Sequence, residues 1–136
     1  MDYWLVKTEP DAFSYDDLAR DRLATWDGVT NNWALQFLRR MKKGDRVLEY
    51  HTGDEKRVVG IAEVVKGPYP DPRAGDEKLT VVDLKPVRKL PRPVTLAAIR
   101  QDPRFADFEL VKFSRLSVMP VSPQHWAWLL NMSATP

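Results

Sequence analysis

Residues 3–10 read Tyr-Trp-Leu-Val-Lys-Thr-Glu-Pro, and the arrangement of the following elements depends on this stretch. A short apolar, β-favouring run of this kind is typical of a strand that is buried in a sheet. Pro10 has no backbone N–H group, so the strand cannot continue simply through it. We therefore predict a buried first strand over residues 3–7, followed by a change of direction.

Helix signals follow this strand at two places. Ser14 with Asp17 three positions later resembles a capping box, which predicts a short helix with Phe13 packed against its start. Asn31 or Asn32 can cap a second helix. Its apolar residues recur at helical spacing and are Trp33, Ala34, Phe37, Leu38 and Met41.

Period-two patterns and turn residues divide most of the remaining chain into strands. We predict strands over residues 46–51, 57–65, 79–87 and 115–121. Thr95 is placed to cap a short third helix, and Ser122 followed by Pro123 marks the start of a last helix. Prolines without a backbone donor interrupt residues 67–77, so we expect an exposed loop there.

Short strands interleaved with short helices, without regular βαβ alternation, indicate an α+β fold. We expect a strongly curved mixed β-sheet or small open barrel, flanked by the short helices. The domain is expected to cover residues 1–131, and residues 132–136 are expected to form a frayed tail.

The composition excludes several classes of chemistry. The 136 residues include no cysteine and 2 histidines, which excludes disulfides and thiolate metal sites and leaves few ligands for a catalytic metal. There is also no glycine-rich phosphate loop. We therefore expect no cofactor. The N-terminus carries no signal-peptide pattern and no membrane span, so we expect a cytoplasmic monomer that does not associate with membranes.

The net charge of +2 is too small to indicate nucleic-acid binding by itself. Basic residues nevertheless gather within residues 39–43, 88–92 and 112–115. Solvated surfaces and cations at helix ends explain any single cluster more simply. Three clusters on one small domain weaken that simpler explanation.

Trp26 differs in its context from the other tryptophans. Trp33 and Trp126 lie on apolar faces of predicted helices, where tryptophan usually belongs to the core. Trp26 lies in an irregular segment between two predicted helices, with Asn31 and Asn32 close behind it. A flat aromatic side chain with polar amides nearby is suited to stack on a planar nucleobase and read its edge. A structural role explains Trp26 equally well from the residues alone.

Several segments, in order along nearly the whole chain, resemble a known family. They are residues 3–10, 26–29 with Asn31 after them, 60–64, 69–72, 82–83 and 115–121. They resemble the EVE domain family, which includes the thymocyte nuclear protein 1 group. This family is similar in fold to PUA domains and to the YTH readers of methylated adenine. The resemblance implies a PUA-like fold and a module that binds modified DNA or RNA without being an enzyme.

The similarity to YTH readers also implies roles for particular residues. Lys7 and Thr8 look like the strand-end pair whose backbone and hydroxyl groups meet the base edge in those readers. Trp26 looks like the first wall of their aromatic cage, and Asn31 or Asn32 would hydrogen-bond the ring.

The remaining cage walls and the contacts to the strand backbone are less specified. Tyr50, His51 or Tyr69 can supply a second wall, and because strand alternation lets only one of Tyr50 and His51 face a pocket, we favour His51. Cations near the pocket would hold the nucleic-acid backbone. The candidates are Arg39, Lys42 and Arg115.

A hydrolase is the alternative interpretation. Another PUA-like group, the ASCH domains, includes an amidohydrolase that uses a lysine, a threonine and a glutamate. Lys7, Thr8 and Glu63 have these residue types, with Lys7 as a base whose pKa burial would lower. Simpler roles exist for all three, since Thr8 can stabilise a turn and Glu63 can pair with a cation on a neighbouring strand.

Overall fold

The computed structural model describes residues 1–134 and contains one mixed six-stranded sheet with short helices around it. The strands are β1 (Tyr3–Thr8), β2 (Ala24–Trp26), β3 (Arg46–His51), β4 (Arg57–Pro70), β5 (Thr80–Thr95) and β6 (Val118–Val121). The helices are α1 (Tyr15–Asp21), α2 (Asn32–Arg40), α3 (Leu96–Gln101), α4 (Glu109–Lys112) and α5 (Pro123–Ala134), with a 3-10 turn over Pro103–Phe105.

The sheet order is β2-β5-β4-β3-β1-β6, so β1 lies inside the sheet, as its apolar sequence predicts. It pairs in parallel with β3 and antiparallel with β6. The edge strands β2 and β6 do not pair with each other, so the sheet stays open. This arrangement confirms the expected α+β class with a mixed, open sheet.

The predicted loop over residues 67–77 is wrong for residues 67–70, which belong to β4, whereas residues 71–79 form the connection between β4 and β5. Gly67 and Pro68 fall in a register shift between Lys66 and Tyr69, so Pro68 is not required to donate to the ladder. Pairing then resumes through Tyr69 and Pro70. Such shifts increase local twist and bend, which gives these long strands their curvature.

Both faces of β1 are covered, because successive side chains of a strand point to opposite sides. Tyr3 stacks on Trp126 of α5 with ring centroids 4.4 Å apart. Trp4 packs on the other side against Phe37 of α2, with centroids 6.3 Å apart. The two helices therefore lie on opposite faces of the sheet and define where the core is.

Helix boundaries follow local capping, with one difference from the sequence prediction. The Ser14–Asp17 capping box starts α1 as predicted, and Thr95 caps α3. The expected frayed tail is wrong for residues 132–134, because α5 continues to Ala134. The Ser133 hydroxyl donates to the Arg92 carbonyl at 2.7 Å and is buried. Residues 135 and 136 lie outside the described part of the chain.

The predicted core position of Trp33 is also wrong. Its side chain is 41% exposed, whereas Trp4 and Trp126 are buried. Trp33 lies in the first turn of α2 and packs edge-on against Phe113, with centroids 4.7 Å apart. The helical spacing places Trp33 correctly along α2, but the neighbouring elements leave that part of the helix uncovered.

A buried carboxylate joins the start of β1, the end of α2 and the start of β3. Asp45 is 1% exposed and accepts three hydrogen bonds, from the Asp2 backbone N–H at 3.0 Å, the Trp4 indole at 2.9 Å and the Lys42 backbone N–H at 2.9 Å. The Lys42 ammonium lies 3.8 Å from the same side chain. Asp45 therefore fixes β1 relative to both of its neighbours in this corner.

We expect Asp45→Ala to lower the free energy of unfolding by about 3 kcal/mol, because it leaves buried donors without an acceptor. Urea denaturation followed by tryptophan fluorescence measures the change. Asp54→Ala, at an exposed turn position, is the matched control and should change stability by less than about 0.5 kcal/mol. Equal unfolding midpoints for both variants would contradict the structural role of Asp45.

Candidate nucleobase-binding site

A cavity of about 180 Å³ opens where β1 ends against the edge strand β2. We call it the Trp26 cavity. Its lining residues are Thr8, Phe13, Ala24, Thr25, Trp26 and Asp27. They come from the end of β1, the loop that follows it and the β2 segment, so three short stretches of the chain build the cavity.

Two aromatic rings form the walls of the Trp26 cavity. Trp26 pairs with Val82 in the sheet and is 7% exposed, so its ring is reached through the cavity. The Phe13 ring stands edge-on to it, with centroids 6.0 Å apart and an interplanar angle of 79°. The Thr8 hydroxyl donates to the Phe13 carbonyl at 2.8 Å and holds this loop to the strand end.

Phe13 is a site residue that sequence reasoning missed. The capping box next to it suggested only a packing role at the start of α1. Its place in the loop that directly follows β1 is the signal that could have assigned it to the strand-end pocket, because loops at strand ends commonly carry ligand contacts.

The second-wall candidates from the sequence do not line the Trp26 cavity. His51 lines a different cavity beside α1, and Tyr50 lines one on the opposite face of the sheet. The Tyr69 hydroxyl donates to Asp83, which also accepts from the Thr25 hydroxyl at 3.0 Å. This hydrogen bond to Asp83 raises the pKa of Tyr69. Tyr69 thus stabilises the β2 edge from outside the cavity.

Asn31 and Asn32 are exposed and close to the Trp26 segment in sequence, but neither lines the Trp26 cavity. The Asn31 side-chain oxygen accepts from the Ala34 backbone N–H at 3.1 Å and caps α2. The cap uses the oxygen of the Asn31 amide, so its NH₂ group is the part that can donate to a ligand.

Lys7 and Thr8 are consecutive and point to opposite faces of the sheet. Thr8 lines the Trp26 cavity, whereas Lys7 lines a cavity on the other face. The Lys7 ammonium donates to the Ser114 carbonyl at 3.0 Å and lies 5.7 Å from the centre of the Tyr50 ring. Burial, with a smaller contribution from Arg100, lowers the pKa of Lys7.

Two of the three predicted backbone cations are engaged within the protein. The Arg39 guanidinium donates to the Lys78 carbonyl at 2.6 Å. The Lys42 ammonium pairs with Asp2 at 2.6 Å, at the end of β1 far from Thr8. Arg115 is exposed, in the segment before β6. Of the three candidates, Arg115 is the one whose side chain forms neither a hydrogen bond nor an ion pair with another residue within 1–134.

The lysine, threonine and glutamate of the hydrolase alternative do not meet. Glu63 pairs with Arg46 at 3.3 Å and with Lys85 at 3.6 Å. The register places Arg46 at the start of β3 beside Glu63, and His51 at its end beside Thr8. The Glu63 position and the Thr8 position are therefore five residues apart along β3, or roughly 17 Å. Glu63 therefore forms a structural ion-pair cluster away from Lys7 and Thr8.

His51 belongs to a buried network beneath α1. Its Nε2 atom accepts from the Tyr15 backbone N–H at 3.0 Å and lies 3.2 Å from Glu49 Oε2. Its Nδ1 atom lies 2.8 Å from Glu55 Oε1. Because Nε2 accepts from Tyr15, the ring proton lies on Nδ1, which donates to Glu55. His51 thus ties α1 to the sheet.

Glu49 is a buried acid whose charged form is disfavoured by its surroundings. It is 1% exposed, and its Oε1 atom has no hydrogen-bond partner within residues 1–134. Burial, with smaller contributions from the nearby acids Asp17 and Asp16, raises the pKa of Glu49 to about 8.

We expect Glu49→Gln to remove a pH-dependent loss of stability. The pKa of Glu49 rises from an ordinary value of 4.5 to about 8 in the folded protein, so between these values only the folded state keeps the proton. The free energy of unfolding therefore falls as the pH rises through this range, by on the order of 3 kcal/mol between about pH 5 and pH 8.

Urea denaturation of both proteins across that pH range tests this expectation. The Gln side chain is neutral at every pH, so the variant should lose less stability than the wild type on going from acid to alkaline conditions. Parallel pH profiles for the two proteins would show that Glu49 is ionised in the folded state.

Residues 1–134 contain no cluster of three or more His, Asp or Glu side chains placed to hold a metal ion. Within the same range, no helix is both long and apolar enough to cross a membrane. The side chains that line the Trp26 cavity offer stacking, apolar contact and hydrogen bonding to a ligand.

The chain is similar to known proteins over nearly its whole length. Mouse thymocyte nuclear protein 1 is 29% identical over 167 aligned positions, which cover 98% of this chain and 74% of the mouse protein. A protein of Rhodopseudomonas palustris, solved by NMR, is 41% identical with a TM-score of 0.93 and covers 98% of this chain and 93% of its own. Human thymocyte nuclear protein 1 in complex with DNA containing 5-methylcytosine is 26% identical with a TM-score of 0.91, covering 100% and 99%.

These relatives overturn one expectation. The cytoplasmic location rested on the absence of a targeting pattern in the sequence. The mouse, human and rat relatives all carry the name of a nuclear protein, so the cytoplasmic prediction is wrong.

A more distant structure and a family model agree with these similarities. The fold is also shared with an ASCH protein of Zymomonas mobilis, at 15% identity and a TM-score of 0.62, which confirms the PUA-like α+β architecture. The EVE domain family matches residues 2–132, nearly all of the chain. The match includes the end of β1 and the Trp26 segment, and it shows that the chain belongs to the EVE domain family.

Proposed function

We propose that this EVE domain is a binding module that encloses one modified nucleobase of a nucleic acid in the Trp26 cavity. The observation that carries the proposal is the right-angled pair of aromatic walls, Trp26 and Phe13, beside the polar groups of Thr8 and Asp27. A cavity of this form accepts a flat ring from one side and leaves its edge facing polar atoms.

The burial of Trp26 indicates how the base must arrive. A side chain that is 7% exposed offers no open stacking surface to a paired base. The base therefore has to leave the stack of a duplex, or come from a single strand, before it enters the cavity. The unstacking costs a few kcal/mol, and apolar contact with a methyl group on the base offsets part of that cost.

A methylated cytosine in DNA is the first ligand to test. Human thymocyte nuclear protein 1, which has the same fold, was solved with DNA containing 5-methylcytosine. The carboxylate of Asp27 can accept a hydrogen bond from the exocyclic amino group of cytosine. RNA with a modified base is the second ligand to test, in keeping with the similarity to YTH readers.

The remaining predicted base contacts take supporting places in this proposal. The NH₂ group of Asn31, and Asn32 beside it, would contact the strand at the cavity mouth. We propose a monomer as the binding unit. Binding without turnover is favoured because Lys7, Thr8 and Glu63 lie apart.

We expect Trp26→Leu to abolish discrimination between methylated and plain oligonucleotides, since it keeps an apolar side chain but removes the flat ring. Removal of one stacking wall is worth about 1–3 kcal/mol, or roughly 5- to 150-fold in affinity for the methylated strand. Titration of fluorescent single- and double-stranded oligonucleotides at one salt concentration measures it. Trp128→Leu, on α5 and away from the cavity, is the matched control. Unchanged selectivity in a folded Trp26→Leu protein would refute the cavity assignment.

Asp27→Asn tests the edge of the base independently of the buried ring. Asp27 is exposed, so the variant should fold as the wild type does. We expect it to weaken binding of methylcytosine by about 1–3 kcal/mol. The charged carboxylate accepts a hydrogen bond from the amino group of the base, and the neutral Asn amide is a weaker acceptor that also carries an NH₂ donor. Isothermal titration calorimetry with the same oligonucleotides is suitable. Equal affinity for the variant and wild type would assign base recognition to other groups.

A further inference from the structure

A second cavity lies on the other side of the strand end that carries the Trp26 cavity. It has a volume of about 240 Å³, and we call it the cation cavity. Its lining residues are Lys7, Tyr50, Thr52, Gly53, Lys56, Leu96, Arg100, Leu110 and Ser114. The lining therefore contains three cations and no acidic side chain.

The three cations come from separate elements, so the fold brings them together. Lys7 stands on β1, Lys56 on the turn between β3 and β4, and Arg100 on α3. The Lys56 carbonyl accepts from the Leu96 backbone N–H at 2.8 Å, which fixes this turn against the start of α3. The turn that carries Lys56 and the helix that carries Arg100 are thus held beside each other by this backbone contact.

These cations lack the acidic partners that many other basic residues have. Arg20, Arg46, Arg57, Lys85, Lys89 and Arg104 each form an ion pair with an acid. Within residues 1–134, Lys56 and Arg100 form none, and Lys7 donates only to the Ser114 carbonyl. The Glu9 carboxylate lies next to Gly53 at the edge of the cavity, and it accepts from the Thr52 hydroxyl at 3.0 Å.

A cluster of like charges beside apolar walls attracts an anion. Tyr50, Leu96 and Leu110 form those walls and reduce the access of water to one side of the cluster. Charges of one sign in such a cleft concentrate oppositely charged ligands. The arrangement of an ammonium, a second ammonium and a guanidinium around one space suits the oxygens of a phosphate.

We propose that the cation cavity binds a phosphate of the nucleic-acid strand whose modified base occupies the Trp26 cavity. The proposal rests on the proposed function. Lys7 and Thr8 are neighbours in sequence on opposite faces of β1, and β1 ends at Thr8. A strand that passes around this end can place a base on the Thr8 side and a nearby phosphate on the Lys7 side.

In this proposal Lys7, Lys56 and Arg100 replace Arg39 and Lys42 as the principal contacts to the nucleic-acid backbone. Both of those side chains are bound within the protein, and Lys42 lies at the opposite end of β1. Lys56 and Arg100 are exposed at the end where the base would enter. Arg115 remains as an additional contact beyond the cation cavity.

The double variant Lys56→Gln/Arg100→Gln tests the proposal. Both side chains are exposed, so the protein should stay folded. The matched control is Lys43→Gln/Lys85→Gln, which removes two charges at the opposite end of the sheet. Affinity for plain and methylated single strands is measured over a range of salt concentrations for both variants and the wild type.

We expect the double variant to bind plain and methylated strands more weakly by the same factor, at least about fivefold at low salt. The dependence of log K on log salt should flatten by about 0.7 for each phosphate of a single strand that the protein no longer neutralises. The ratio of methylated to plain affinity should remain that of the wild type. An affinity and a salt slope equal to those of the control would overturn the proposal.

Inorganic phosphate distinguishes the two sources of the anion. If phosphate shifts the amide NMR signals of Tyr50 and Leu96 in the wild type while the double variant still binds oligonucleotides normally, the cavity serves a free phosphate compound and the strand assignment fails. The proposed function fails separately, when the wild type does not discriminate methylated from plain strands. In that case a flattened salt slope of the double variant still supports the phosphate site.

Discussion

The hydrogen bonds to the buried carboxylate of Asp45 hold β1 in place. The end of this strand contributes a lining residue to each of the two cavities. These hydrogen bonds join a backbone N–H and an indole from the start of β1 to the backbone N–H of Lys42, which follows α2. A buried carboxylate is costly unless such donors surround it, so the sequence positions that supply them must stay together. The position of β1 at its first residues is thereby set, and its pairing with β3 carries that position to Thr8.

From this fixed strand, alternation of side chains divides the possible binding surface into two sides. Tyr3, Leu5 and Lys7 face the side of α5 and the cation cavity, and Trp4, Val6 and Thr8 face the other. The last two residues of β1 thus serve different cavities although they are adjacent in sequence. The Trp26 cavity has aromatic walls that suit the flat ring of a base, and the cation cavity has charges that suit a phosphate of the same strand.

The loop after β1 needs its own support, because it carries Phe13 and leads into α1. The Thr8 hydroxyl donates to the Phe13 carbonyl, and His51 accepts from the Tyr15 backbone N–H, so the end of the loop that leads into α1 is held by two contacts. The buried Glu49 carboxyl group lies 3.2 Å from the same ring nitrogen of His51. The Tyr15 ring lies so close to Gly60 that any side chain there would collide with it, which explains the glycine in an otherwise apolar strand. A histidine that looks like a ligand contact in the sequence is therefore a positioning group for the loop.

Features that depend on near neighbours could be predicted from the chain alone. Ser14 and Asp17 cap α1, Thr95 caps α3, and the apolar run from Tyr3 places β1 inside the sheet, since capping and periodicity involve residues a few positions apart. The family motifs also place Thr8 and Trp26 at one cavity. Three other features emerged only from the folded arrangement: Phe13 is the second wall, Lys7 shares a cavity with Lys56 and Arg100, and Trp33 is exposed. These outcomes depend on strand register and on which element covers each face, and both are set by contacts between residues far apart in the chain.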